Sequence, residues 1–200
     1  MNQAVDLDEL TLFRDMARRA FEQEITPHYE TWEEERMVPR TLWNRLGEAG
    51  LLCPEMEELP RERLGIAAQA VAASEGALNI TAQYVQEREA FGQKIGQFQN
   101  TRFKLADVKT DIAINRAFYE QCAREYAEGT LTPDTAAMLK LASCEMQCRV
   151  ADQCLQLFGG YGYTSEYPIS RFYVDARIQT IYGGSSEIMR ELVARSILGR

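Results

Sequence analysis

Four groups of residues in this 200-residue chain could carry chemistry. The first is Glu62, in Leu59-Pro60-Arg61-Glu62-Arg63-Leu64. A carboxylate takes a proton from carbon when burial raises its pKa towards neutrality. The plainer reading is a helix start, where the macrodipole favours an acid and the flanking arginines lower its pKa. The second is Arg88, in Arg88-Glu89-Ala90-Phe91-Gly92-Gln93-Lys94-Ile95-Gly96. A guanidinium suits a diphosphate through paired, planar hydrogen bonds; it also compensates a helix C-terminus. The third is Gln156-Leu157-Phe158-Gly159-Gly160-Tyr161-Gly162-Tyr163. These glycines follow a helical pattern, whereas a phosphate cradle opens one, so a helix stop and tight turn also explain them. The fourth is Ile181-Tyr182-Gly183-Gly184-Ser185-Ser186-Glu187-Ile188-Met189-Arg190. Ser185 and Glu187 either face a ligand or form an N-cap with an acidic first turn.

The elements that must position these groups are helices. Apolar residues recur every three or four positions and alternating runs are nearly absent, so the expected class is all-α, an up-and-down helical bundle. Spacing predicts helices over 7–25, 30–36 and from Pro39 to Gly50, with Leu42, Leu46 and Ala49 apolar. Three long helices follow, over 60–89, 98–128 and 133–158. Their stripes are Leu64, Ala67, Val71, Ser74, Leu78, Thr81 and Val85; then Phe98, Thr101, Leu105, Val108, Ile112, Asn115, Tyr119 and Cys122; then Ala137, Leu141, Cys144, Cys148, Ala151, Leu155 and Phe158. The three-then-four alternation is that of a left-handed bundle. Gly129 fits a helix end, Thr132-Pro133-Asp134 a capped start, and Ser185 the cap of a last helix after a short one over 170–177.

Composition excludes several classes. Hydrophobic residues are 46% and charged residues 26%, ordinary for a domain with a core. A net charge of −8 disfavours nucleic acid and an anionic membrane surface as partners. No apolar run reaches bilayer length and Met1 to Asp6 lacks a secretory signal, so a cytoplasmic protein is expected. Five cysteines without Cys-x-x-Cys read as buried free thiols. A single histidine, His28, supports no metal site and reads as a surface or capping residue. Neither Glu-x-x-His nor Gly-x-Ser-x-Gly occurs, which disfavours di-iron and hydrolase chemistry.

The three glycine-containing runs, in this order, resemble the C-terminal helical domain of the flavin-dependent acyl-CoA dehydrogenases. From about Leu7 to Cys53, through Ile25-Thr26-Pro27-His28 and Trp32-Glu33-Glu34, the chain is similar to the start of that family's N-terminal helical domain. The resemblance implies three parts: a remnant of the N-terminal domain over 1–53, a connector over 54–58 where a β-domain would stand, and a C-terminal four-helix bundle over 59–200. It implies FAD as cofactor, with Arg88 reaching the pyrophosphate of a neighbouring subunit and Phe91 and Gln99 alongside. It sets Gln156, Gly159 and Gly160 near the adenine side across a dimer, and Ser185 and Glu187 near the flavin. Gly184 and Arg63 are implied at the acyl-CoA thioester, although by residue chemistry Arg63, Arg177 and Arg195 read as partners of acids. Glu62 is implied as the base, as in the long-chain and isovaleryl branches. Other branches carry the base where Gly183 stands here.

Two functions follow as expectations. One is FAD-dependent α,β-dehydrogenation of acyl-CoA by descent, impaired or lost because the wall that shelters the flavin is missing. The other is an engineered or naturally truncated bundle serving as a scaffold or oligomerisation module. Either way a homodimer or homotetramer is expected.

Overall fold

The computed structural model describes residues 7–39, 41–42, 45–46 and 59–199. They fall into two compact units, 1–57 and 58–200. In the first, α1 spans Leu7–Glu24 and α2 Tyr29–Glu35. Arg36, at φ 53°, closes α2 with its backbone N–H on the Glu33 and Trp32 carbonyls. His28 stands before α2 without a capping bond, its ring 5.6 Å from that of Trp32. The helix expected after Pro39 is helical at 41–42 and 45–46, where Leu42 and Leu46 are buried. Ala49, Gly50, Cys53 and the expected connector lie outside the described residues.

The second unit is the bundle. Its elements are α3 (Leu59–Glu87), a hairpin of β1 (Glu89–Ala90) and β2 (Gln93–Lys94), α4 (Gln99–Ala127), α5 (Pro133–Phe158), α6 (Ile169–Gln179) and α7 (Ser186–Leu198). Single 3₁₀ stretches cover Ile95–Gln97 and Gly159–Tyr163. The class is all-α, as the periodicity predicts. Most positions of the two stripes expected for α3 and α4 are buried; Leu64, Leu78, Phe98, Leu105 and Tyr119 are half-buried. The polar members of the α3 stripe satisfy themselves locally. Ser74 Oγ donates to the Ala70 carbonyl at 2.7 Å and Thr81 Oγ1 to that of Ala77 at 2.6 Å.

Helix α5 is the axis. It packs against α3, α4, α6 and α7, and a single stripe cannot serve four neighbours. Its buried set accordingly runs round the helix, with Ala136, Leu139, Lys140, Cys144, Met146, Val150 and Cys154 all nearly inaccessible. Val71, Val108, Ile112, Met146, Val150, Phe158 and Ile169 form the main core.

The hairpin is a departure from the sequence expectation. Helix α3 stops at Glu87, and Arg88 follows at its end, its backbone N–H still on the Tyr84 carbonyl at 2.9 Å, just before β1. Phe91 (φ 54°) and Gly92 (φ 79°) make a two-residue turn, the conformation that joins short antiparallel strands.

Candidate functional site

Helix α3 and the turn before α7 bring Glu62 and Gly183 together. A β carbon on Gly183 would lie 3.6 Å from Glu62 Oε1 and would overlap Ile66 Cδ1. Gly183 (φ 63°) and Gly184 (φ 95°) both take the left-handed region, so the turn is built for residues without side chains. Glu62 is exposed on the first turn of α3. Gly184 is half-buried.

Arg63 turns inward. It is 5% exposed, its Nη1 donates to the Pro133 carbonyl at 3.4 Å, and its Nε is buried without a partner. Burial lowers its pKa, against the opposing pull of Glu62. It therefore ties the start of α3 to the start of α5 and pairs with no acid among the described residues. Arg195 does pair with one, Glu191, at 2.8 Å, whereas Arg177 donates to Thr180 Oγ1.

Sequence reasoning missed Lys140. It is wholly buried on α5, and its Nζ donates to the Gly184 carbonyl at 2.7 Å. Burial pushes its pKa down, and Arg63 adds to that while Cys144, Glu145 and Glu62 oppose it. A signal existed: Lys140 stands three residues after Ala137 and four before Cys144, a cation in the apolar stripe.

A second cluster forms where α3 meets the end of α5. Arg88, Gln156, Gly159 and Gly160 line one groove of about 510 Å³ with Tyr84, Ile95 and Tyr161. Its floor is aromatic. Tyr84 stacks on Phe158 with centroids 4.0 Å apart, and Tyr167 meets both edge-on. The Arg88 guanidinium lies 5.2 Å from the Tyr161 ring centroid, a cation–π contact. Phe91 and Gln99 do not line this groove. Phe91 is 96% exposed at the hairpin tip, its ring edge-on to Phe98, and Gln99 is exposed at the start of α4.

A third cluster joins α5, α6 and the start of α7. Ser185 and Glu187 line a groove of about 260 Å³ with Glu145, Cys148, Arg177 and Thr180. Ser186 Oγ donates to Glu145 Oε1 at 2.8 Å, and Arg190 reaches the same oxygen at 3.2 Å. Glu187 is held below the usual carboxylate range, first by its own backbone N–H and then by the Ser185 hydroxyl. Ser185 also caps α7, accepting from the Ile188 N–H at 3.5 Å. The capping role of Ser185 is thus met, and the same residue lines the groove.

Among the described residues no cluster of His, Cys, Asp or Glu is suited to a metal, and no helix is long and apolar enough to cross a membrane. The described cysteines, Cys122, Cys144, Cys148 and Cys154, are free thiols.

Residues 55–198 match the model of the acyl-CoA dehydrogenase C-terminal domain, and residues 7–84 that of the acyl-CoA dehydrogenase N-terminal domain. The long-chain specific acyl-CoA dehydrogenase, mitochondrial, of Sus scrofa is 49% identical over 143 residues, 72% of this chain and 33% of the relative. A crystal structure of an acyl-CoA dehydrogenase from Geobacillus kaustophilus is 40% identical with a TM-score of 0.69, over 71% of this chain and 37% of that one. A glutaryl-CoA dehydrogenase from Mycobacterium smegmatis in complex with FADH2 is 26% identical with a TM-score of 0.69, over 71% and 37%. The chain spans about a third of the length of the curated relative it matches at 49%. On the family match over 55–198, with the bundle and its three clusters, the chain belongs to the acyl-CoA dehydrogenase family.

Proposed function

We propose that this chain forms the base-bearing wall of an FAD-dependent acyl-CoA dehydrogenase site. One observation carries the reading: Glu62 Oε1 lies 3.6 Å from the point where a Gly183 side chain would begin. The two alternative positions for a base thus converge on one place, and only Glu62 supplies a carboxylate there. In this role Glu62 removes the α-proton of an acyl thioester approaching the Gly183–Gly184 turn. A base needs a dry, fixed setting, and Glu62 is exposed as the chain stands, so slow or absent turnover by the isolated polypeptide belongs to the proposal. Only residues 47–58 separate Leu46 from α3, too few for a sheltering β-domain.

The groove at Arg88 fits the cofactor chemically. It offers a guanidinium for a pyrophosphate, a flat aromatic floor, and glycine backbone at Gly159 and Gly160. Arg88 would hold the pyrophosphate, Gln156, Gly159 and Gly160 the adenine side, and Ser185 and Glu187 the flavin side. FAD, when bound, supplies the acceptor for the β-hydride. A structural neighbour in complex with FADH2 supports a flavin as the cofactor. A homodimer or homotetramer is part of the same reading. Free thiols fit a reducing compartment; the cytoplasm is proposed, although the Sus scrofa relative is mitochondrial.

The test is flavin content. Purified chain, mixed with FAD and gel-filtered, should retain the cofactor, and any anaerobic bleaching of its absorbance by octanoyl-CoA should be slow. Retention without bleaching gives a half-site that binds but does not turn over. A colourless, cooperatively folding oligomer would sink the enzymatic reading and leave the scaffold. Exposed Tyr173, Val174, Ile178, Ile181 and Ile188 on and between α6 and α7 favour that second reading.

A further inference from the structure

An ammonium stripped of water costs several kcal/mol unless it is well paired, and a similarly shaped apolar side chain avoids that cost. Lys140 is 0% exposed, yet no carboxylate lies within ion-pair distance of it among the described residues. Its hydrogen bond goes to one place, the Gly184 carbonyl. Stability of the core is therefore a poor reason for a lysine at this position. The far end of the bond supplies a better one. Gly183 and Gly184 both sit at positive φ, and glycines give a turn little conformational restraint of their own. Among the described residues, Lys140 makes the one hydrogen bond that ties either turn glycine to the bundle. Just before them, Tyr182 donates to Gln179 Oε1 at 2.6 Å; just after, the Ser186 N–H donates to the Thr180 carbonyl at 3.0 Å. The two glycines between these anchors hang on the ammonium.

We propose that Lys140 is a positioning residue: from the axis of the bundle it clamps the Gly184 carbonyl and so fixes the Gly183–Gly184 turn against Glu62. A charged donor suits the task because its bond to a carbonyl is stronger than a neutral one, and stronger still out of water. The consequence for a bound thioester rests on the function proposed above; the clamp itself does not. A buried α5 lysine would set how far the carboxylate stands from whatever approaches the turn.

Lys140→Met keeps length and volume and removes the donor. Amide exchange followed by mass spectrometry on the full chain should show 182–186 exchanging roughly tenfold faster, with α3 and α5 still protected and the melting temperature equal or higher. Unchanged exchange at 182–186 would overturn the clamp. So would protection lost evenly through α3 and α5 with a lower melting temperature, since Lys140 would then hold the core. Lys140→Gln, a shorter neutral donor, gives the same local change should the methionine variant not fold. Octanoyl-CoA titrated calorimetrically should bind Lys140→Met about fivefold more weakly than the wild type, and equal affinity would overturn the positioning role. No binding to the wild type would remove the site reading and leave the exchange result to decide the clamp.

Discussion

Gly183 matters through the side chain it lacks. Any β carbon there meets Ile66, and φ 63° is costly for every other residue. Gly183→Ala should lose about 1–3 kcal/mol of stability in urea denaturation. Ile66→Val removes the methyl in the way. The double variant should recover part of the loss, and strict additivity would show that backbone strain alone is responsible. Glu62 is the opposite case. Its exposed carboxylate holds no core contact, so Glu62→Gln should stay within about 0.5 kcal/mol of the wild type while abolishing octanoyl-CoA-dependent bleaching of retained flavin. A variant that bleaches normally would remove Glu62 as the base.

At the scale of elements, caps and seams decide the bundle. Thr132 Oγ1 accepts from the Thr135 N–H at 3.3 Å, Pro133 opens α5, and the Thr132 hydroxyl is the main cause holding Asp134 below the usual carboxylate range. Thr132→Ala should cost about 1 kcal/mol in the same denaturation experiment, and no change would mean that tertiary packing alone fixes the start of α5. This start was legible in the sequence because Thr-Pro-Asp is a local signal. The seams were legible for a similar reason: burying one face leaves a period, and Val71, Val108 and Ile112 fall where it puts them. Two-residue strands leave no alternating run to read, so the hairpin at Phe91-Gly92 escaped. Lys140 escaped because a lysine on a helix is ordinarily solvated. The meeting of Glu62 with Gly183 could be reached only through the family resemblance, because no spacing rule joins the start of α3 to the turn before α7. The assembly of Arg88 with Gln156, Gly159 and Gly160 was likewise anticipated only as an implied cofactor surface, while Phe91 and Gln99, implied beside Arg88, lie outside the groove's lining.

For the whole molecule, the buried thiols set an upper pH limit. Burial pushes Cys144 up to about 12 and Cys122 up to about 11, and raises Cys148 and Cys154 as well. Thiols in the unfolded chain ionise near their ordinary value of 9.0, while those in the fold keep their protons. The folded state then binds more protons, so their contribution is complete below about pH 9 and is lost as pH rises towards 11–12. Where the unfolded thiol is ionised and the folded one is not, Cys144 and Cys122 each add a slope of at most about 1.4 kcal/mol per pH unit. Tyr84 and Tyr182, also raised by burial, act in the same direction at higher pH. Lys140 opposes them. Its depressed pKa means that the unfolded chain holds the extra proton, so its penalty fades as pH rises towards its ordinary value of 10.5. One lysine against four thiols leaves a net fall, and urea midpoints measured from pH 8 to 11 should decline steadily above 9. Cys144→Ala should flatten that decline whatever it does to the absolute stability, because an alanine has no proton to lose. A midpoint that rises across this range would mean that Lys140 dominates, and a flat one that the thiols ionise in the fold as freely as in the unfolded chain.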